Sequence, residues 1–167
     1  MIPDPRVADL VQAALARWAV PHRVIDCDPA FADTAAFCAR YGYPLAMSAN
    51  TILVASKSAP RRYGACLLTA SSRLDVNRTV RKLLGARKAS FADAEETLAL
   101  TGMAIGGVTV FGLPDGLPIY VDPAVMAQPE VIVGSGTRSG KIVLAPAGLL
   151  RLPGVEIVEG LATPVDP

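Results

Sequence analysis

Histidine is nearly missing from this 167-residue chain: the only one is His22. A Ser-His-Asp or Cys-His triad needs a histidine base, and His22, directly after Pro21, reads as a structural or surface residue. No G-x-S-x-G elbow is present. The three cysteines, Cys27, Cys38 and Cys66, are scattered without C-x-x-C spacing. With a single histidine they offer no metal-ligand pair, so neither a metal nor another cofactor is expected. Such thiols suit a reducing cytoplasm. Charges, Pro or Gly interrupt every apolar run before it reaches the ~20 residues of a membrane-spanning helix. The opening MIPDPRVADL lacks the basic-then-apolar order of a secretory signal. A cytoplasmic protein with no membrane partner is expected.

What is present is apolar. Hydrophobic residues make up 51% and charged ones 19%, and the mean hydropathy is +0.39, which excludes intrinsic disorder. The length predicts a single domain over residues 1–167 that buries its core without a disulfide or metal staple.

The formal net charge of +1 hides an uneven distribution. From Lys57 to Lys88 nine cations face one acid, Asp75, giving +8, against −1 before that stretch and −6 after it. Such a block can concentrate a polyanion at one face of a nearly neutral protein.

Helical spacing of Val7, Leu10, Val11, Ala14, Leu15 and Trp18, with Asp4 and Pro5 as cap and first residue, predicts a helix to about Trp18. HRVID reads as a short strand. Asp33 is expected to cap a helix over TAAFCARYG that ends at Gly42. SANTILVAS and YGACLLTAS read as a hairpin. Asp75 is expected to cap a helix with Val76, Val80, Leu83 and Leu84 inward and Arg78, Arg81 and Lys82 outward. Ser90 and Asp93 resemble a capping box for a helix through Leu100 closed by Gly102. TGMAIGGVTVFGLPDGLP is a shaped loop, since five glycines in eighteen residues suit neither helix nor strand. PIYVD, EVIVGSG, KIVLAP and a closing VEIVEG read as strands, and PAGLLR as a helical turn. Strands outnumber helices without regular crossovers, so the expectation is a mixed α/β (α+β) fold in which a barrel-like mixed β-sheet is surrounded by helices.

GSGTRSGK (134–141) has glycine spacings of five and three and is followed by Ile142 between strand-like flanks. It is a hairpin turn rather than a phosphate-binding P-loop.

The run Thr101-Gly102, Ile105-Gly106-Gly107-Val108-Thr109 and Phe111-Gly112 resembles the signature loop of the YbaK/ProX-type aminoacyl-tRNA editing domains. SANTILVAS, SSRLDVNRTVRKLLG and VIVGSGTRSGKIVLAPAGLLRL resemble further parts of that family in the same order, from about Phe31 to Val158. The resemblance implies a small, free-standing deacylase that hydrolyses a mischarged tRNA, typically tRNA for proline carrying alanine or cysteine. Aminoacyl-tRNA, and an aminoacyl-tRNA synthetase, would be its partners.

By the same resemblance, Asn50, Gly106 and Gly107 take catalytic positions, with the glycine backbone holding the ester oxygen and limiting side-chain size. Thr109, Phe111, Gly134, Ser135, Gly136 and Arg138 would contact substrate, and Arg78, Arg81 and Lys82 the tRNA. Two departures stand out: the family's strand lysine is Asn50 here, and its loop Ser-Pro is Thr109-Val110. Asn50 donates a hydrogen bond without charge, so Asn50→Lys is expected to strengthen the chemistry. The alternative is a non-catalytic module that binds tRNA ends or a related aminoacyl or nucleotide ligand through a degenerate site.

Overall fold

The strands carry apolar residues on both faces, and the computed structural model, which describes residues 2–165, buries both. In chain order the elements are α1 (Val7–Arg17), β1 (Arg23–Asp26), α2 (Thr34–Tyr41), β2 (Ala49–Ser56), β3 (Tyr63–Thr69), β4 (Ser72–Leu74), α3 (Arg81–Leu83), β5 (Ala89–Phe91) and α4 (Ala94–Thr101). After a long loop come β6 (Ile119–Val121), α5 (Pro123–Met126), β7 (Val131–Gly134), β8 (Gly140–Leu144), β9 (Val155–Ile157) and β10 (Ala162–Pro164).

Three open sheets replace the expected barrel. One has the order β5-β2-β3-β6-β9, one β1-β8-β7, and one pairs β10 with β4. The first two approach along β2 and β7 but, among the described residues, share a single parallel bridge, Ser48 to Ile132. Beyond that bridge the strands diverge, so the circuit of hydrogen bonds that a barrel needs is broken there.

Alternation along the strands sorts the core. Ala49, Leu53, Ala65, Leu67, Val131, Val133, Ile142 and Leu144 meet Val7, Val11 and Leu15 of α1. On the opposite face Val54, Cys66 and Leu68 pack on Val76, Val80 and Leu84. Ile132 and Val143 face α2 and pack with Phe37, Cys27 and Cys38. All three cysteines are buried and unpaired. A fully buried Phe37 or Leu15 side chain contributes roughly 1.5–3 kcal/mol.

Several local expectations shift. Helix α1 starts at Val7, and the Asp4 carboxylate accepts from the Arg6 N–H just ahead of it. Ser90 lies in β5; Asp93 alone caps α4, accepting from the Glu96 N–H at 2.7 Å. Asp75 accepts from the Arg78 N–H, but the turn that it opens over Val76–Val80 is a wide π-type turn, leaving only Arg81–Leu83 as α-helix. Gly42 and Gly102 end their helices at φ 76° and 75°, the left-handed conformation glycine adopts without strain. VEIVEG is followed by one more strand, β10.

Candidate active site

Divergence of β2 from β7 opens a cleft of about 350 Å³ lined by residues 48–52 of β2 and its approach, by Ile132, Val133 and Gly134 of β7, and by Ile105, Gly106 and Val108 of the loop. Asp33, Thr34 and Lys141 complete it. Strand β5 pairs with Val54–Ser56 of β2, and the Ala92 N–H donates to Leu53 O. From Ala49 to Ile52 the outer edge of β2 has no ladder partner among the described residues, and these residues line the cleft.

The structure brings Asn50, Gly106 and Gly134, far apart in sequence, to this one cleft. The Asn50 Oδ1 accepts from the Thr34 hydroxyl of α2, which leaves the amide hydrogens of Asn50 for another partner. Gly106 has φ +91°, and a Cβ there would overlap Arg138 Nη1. Gly134 is equally constrained, because a Cβ would overlap the carbonyl oxygen of Val108.

Gly107 and Gly136 stand behind the wall rather than in it. The Gly107 N–H donates to Ala104 O at 2.9 Å, and its carbonyl accepts from the Gly136 N–H at 2.7 Å. Thr109 and Phe111 are fully buried. Phe111 belongs to the core beside α1, while the Thr109 hydroxyl has no partner among the described residues, as is also true of Thr51 at the cleft. Ser135 donates to Gly140 O and fixes the β7–β8 turn.

Arg138, from that turn, clamps the stretch before α2 and the glycine-rich loop. Its guanidinium donates to Asp33 Oδ1 at 3.0 Å, Ile105 O at 2.8 Å and Pro29 O at 2.9 Å. Asp33, expected as a side-chain cap of α2, uses its carboxylate on Arg138 and makes no cap hydrogen bond with it.

Lys141 was not among the sequence-derived candidates. It sits on β8 opposite Gly134 and Ile25 and is 6% exposed. Its Nζ donates to Ala32 O at 2.7 Å and Gly106 O at 3.1 Å and lies 5.4 Å from the centre of the Phe37 ring. Burial pushes the ammonium below the usual lysine range; the neighbouring Arg138 adds to this, and Cys27, Asp33 and Cys38 oppose it. The available signal was a lone cation between Gly140 and Ile142-Val143-Leu144, in a strand otherwise apolar.

The cations expected to contact tRNA lie on the π-type turn and α3. Arg78 and Lys82 are exposed. Arg81 is tied to its own backbone, donating to Asn77 O and Ala86 O.

The sequence profile of the aminoacyl-tRNA editing domain matches residues 28–152, which contain every lining residue of the cleft. The chain belongs to that family. A crystal structure described as a candidate trans-editing enzyme for prolyl tRNA synthetase superposes with a TM-score of 0.78 at 25% identity, covering 93% of this chain and 96% of that one. The hypothetical protein APE2540 is similar at a TM-score of 0.81, 21% identity and coverage of 92% and 99%. A candidate signal transduction protein from Marinobacter aquaeolei VT8 matches 93% of this chain with 30% of its own, at a TM-score of 0.60 and 17% identity. The editing-domain fold thus occurs alone and within a longer chain. Among the described residues of this editing domain no cluster of His, Cys, Asp or Glu could hold a metal, and no helix is long and apolar enough to cross a membrane.

Proposed function

We propose that the protein is a trans-acting aminoacyl-tRNA deacylase that hydrolyses the ester of a mischarged tRNA carrying a small amino acid such as alanine or cysteine, with tRNA for proline as the leading acceptor. The observation that carries this reading is the cleft itself: an unpaired strand edge at Ala49–Ile52 faces a glycine-bounded wall at Gly106 and Gly134. Family membership and the likeness to a candidate prolyl trans-editing enzyme support it.

An aminoacyl ester is an activated bond, so a site that orients the carbonyl and a water contributes much of what hydrolysis needs. The terminal ribose and adenine lie along the β2 edge, where backbone groups and the Asn50 amide supply hydrogen bonds. The amino-acid side chain points between Ile132 and Val108, and the glycine wall, backed by Arg138 and the Val108 carbonyl, sets its upper size. Arg78 and Lys82 meet backbone phosphates of the tRNA body.

The test is a panel of tRNAs charged with alanine, cysteine, serine, proline and larger amino acids, scored for loss of the ester over the uncatalysed rate. Faster hydrolysis of a small-residue ester than of cognate prolyl ester is expected. A protein that binds these tRNAs and cleaves none is instead a binding module.

A further inference from the structure

We propose that Lys141 is the catalytic cation of this cleft, holding the carbonyl oxygen of the scissile ester with the ammonium hydrogen that its own fold leaves free. The inference rests on the deacylase reading above.

An ammonium has three hydrogens. Two are used, on Ala32 O and Gly106 O, and the side chain lines the cleft. No carboxylate lies within ion-pair distance of Nζ among the described residues. The acid facing it, Asp33, is engaged by Arg138 and is 64% exposed. The remaining ionisable neighbours are the thiols of Cys27 and Cys38 and the guanidinium of Arg138. A buried cation without a counter-charge is destabilising, and a methionine of similar length would fill the space beside Phe37 without that cost. A buried charge without a counter-ion in a ligand-sized cleft is a candidate functional group.

The two carbonyl contacts aim the ammonium. One partner is Gly106 itself, so the cation is tied to the size-limiting loop. Gly134, directly opposite Lys141 on β7, has no side chain to fill the space between them.

In the reaction, water oxygen bonds to the ester carbonyl carbon, and the carbonyl electron pair moves onto its oxygen. Lys141 donates a hydrogen bond to that oxyanion and keeps its proton. When the electrons return, the bond from carbon to the terminal ribose oxygen breaks. That oxygen receives the proton lost by the water, leaving a free amino acid and a tRNA hydroxyl. Low dielectric in the cleft makes the ammonium worth more at the oxyanion than at the neutral ester, as rate acceleration requires.

The test compares the wild type with Lys141→Met and Lys141→Gln, the latter neutral yet able to donate to the same carbonyls. Single-turnover hydrolysis of the best panel substrate should fall about 10- to 100-fold in both variants, with substrate affinity changed less than about threefold. The wild-type rate should drop as alkaline pH removes the Lys141 proton, and this limb should vanish in the variants. Two adenosine 3′ conjugates give a second readout: an anionic phosphonate that mimics the oxyanion and a neutral amide. Wild type should prefer the phosphonate, and the variants should lose that preference. Variants that retain both rate and preference overturn the assignment. So does a folded wild type with no preference for the phosphonate, even if it deacylates tRNA. If wild type cleaves no tRNA but its phosphonate preference depends on Lys141, the deacylase reading fails and the oxyanion-holding role of Lys141 stands.

Discussion

Arg138 lies across Gly106 in the space that a Cβ would occupy, so guanidinium and glycine are fitted to each other. The same guanidinium holds the carbonyl of Ile105, immediately before that glycine. The loop is therefore shaped by a contact 32 residues away in sequence.

Gly106→Ala should damage both fold and site. Its φ of +91° strains an L-residue, and the methyl group must displace Arg138. A stability loss of roughly 1–3 kcal/mol by chemical denaturation is expected, with deacylation reduced beyond what the unfolded fraction explains.

Arg138→Met removes the clamp without adding bulk. Because Asp33 is largely exposed, the ion pair itself contributes little, and the freed Pro29 and Ile105 carbonyls can reach water. A loss of about 1 kcal/mol is expected, together with a higher KM as the loop loosens. Thermal melts and steady-state kinetics separate the two effects.

How much of this was legible from residues alone depended on the range of the contact involved. Gly42 and Gly102 announced two helix ends, because left-handed termination is a local property. Apolar strands and the β7–β8 turn were legible for the same reason. The barrel expectation failed because closure depends on whether β2 and β7 stay paired beyond Ser48 and Ile132, residues 84 positions apart. Asn50, Gly106 and Gly134 were legible as candidates through family resemblance. Lys141 was passed over because a lysine near a glycine-rich turn resembles an ordinary surface cation; only its distant partners Ala32, Gly106 and Phe37 bury it. Conversely, Phe111 in the signature loop is a core residue, since an apolar ring beside glycines fits either place.

Lys141 also predicts how stability varies with pH. Its folded value lies below the ordinary 10.5, so between the two values the unfolded chain binds more protons and stability rises with pH. Burial pushes the Cys27 thiol up and the Cys66 thiol to about 12. Above their ordinary value of 9.0 these thiols act with the opposite sign, destabilising the fold as pH climbs. Subtracting the Lys141→Met curve from the wild-type curve isolates the lysine. The variant should be the more stable protein near neutral pH, and the gap should close as pH approaches 10.5.

Asn50→Lys should now slow deacylation rather than strengthen it. The cleft already contains one ammonium, and a second beside it would repel the first and lower the proton occupancy of both. The substitution also removes the acceptor for Thr34. A decrease in kcat/KM relative to wild type checks this; an increase would show that the lysine position on β2 and that on β8 act independently.

On the cationic turn, Arg78→Ala and Lys82→Ala should each lower the salt dependence of tRNA affinity by roughly 0.7 to 0.9 in slope per lost phosphate contact. Arg81→Ala should behave differently, lowering the melting temperature, because its guanidinium already serves the Asn77 and Ala86 carbonyls. Affinity measured across a salt series, beside melts of all three variants, tells phosphate binding from helix stapling.

The fixed positions of the two glycine walls decide where substrate preference can be altered. At Gly134 an added Cβ would overlap the Val108 backbone carbonyl, and at Gly106 it would strain the backbone and displace Arg138, so substitutions at either glycine cost stability before they change selectivity. Ile52, Ile105 and Val108 line the same space with side chains that are not fully buried, so a change in their size disturbs the core less. An evolving or engineered lineage would therefore retune the accepted acyl group through these side chains, against an unchanging glycine backbone.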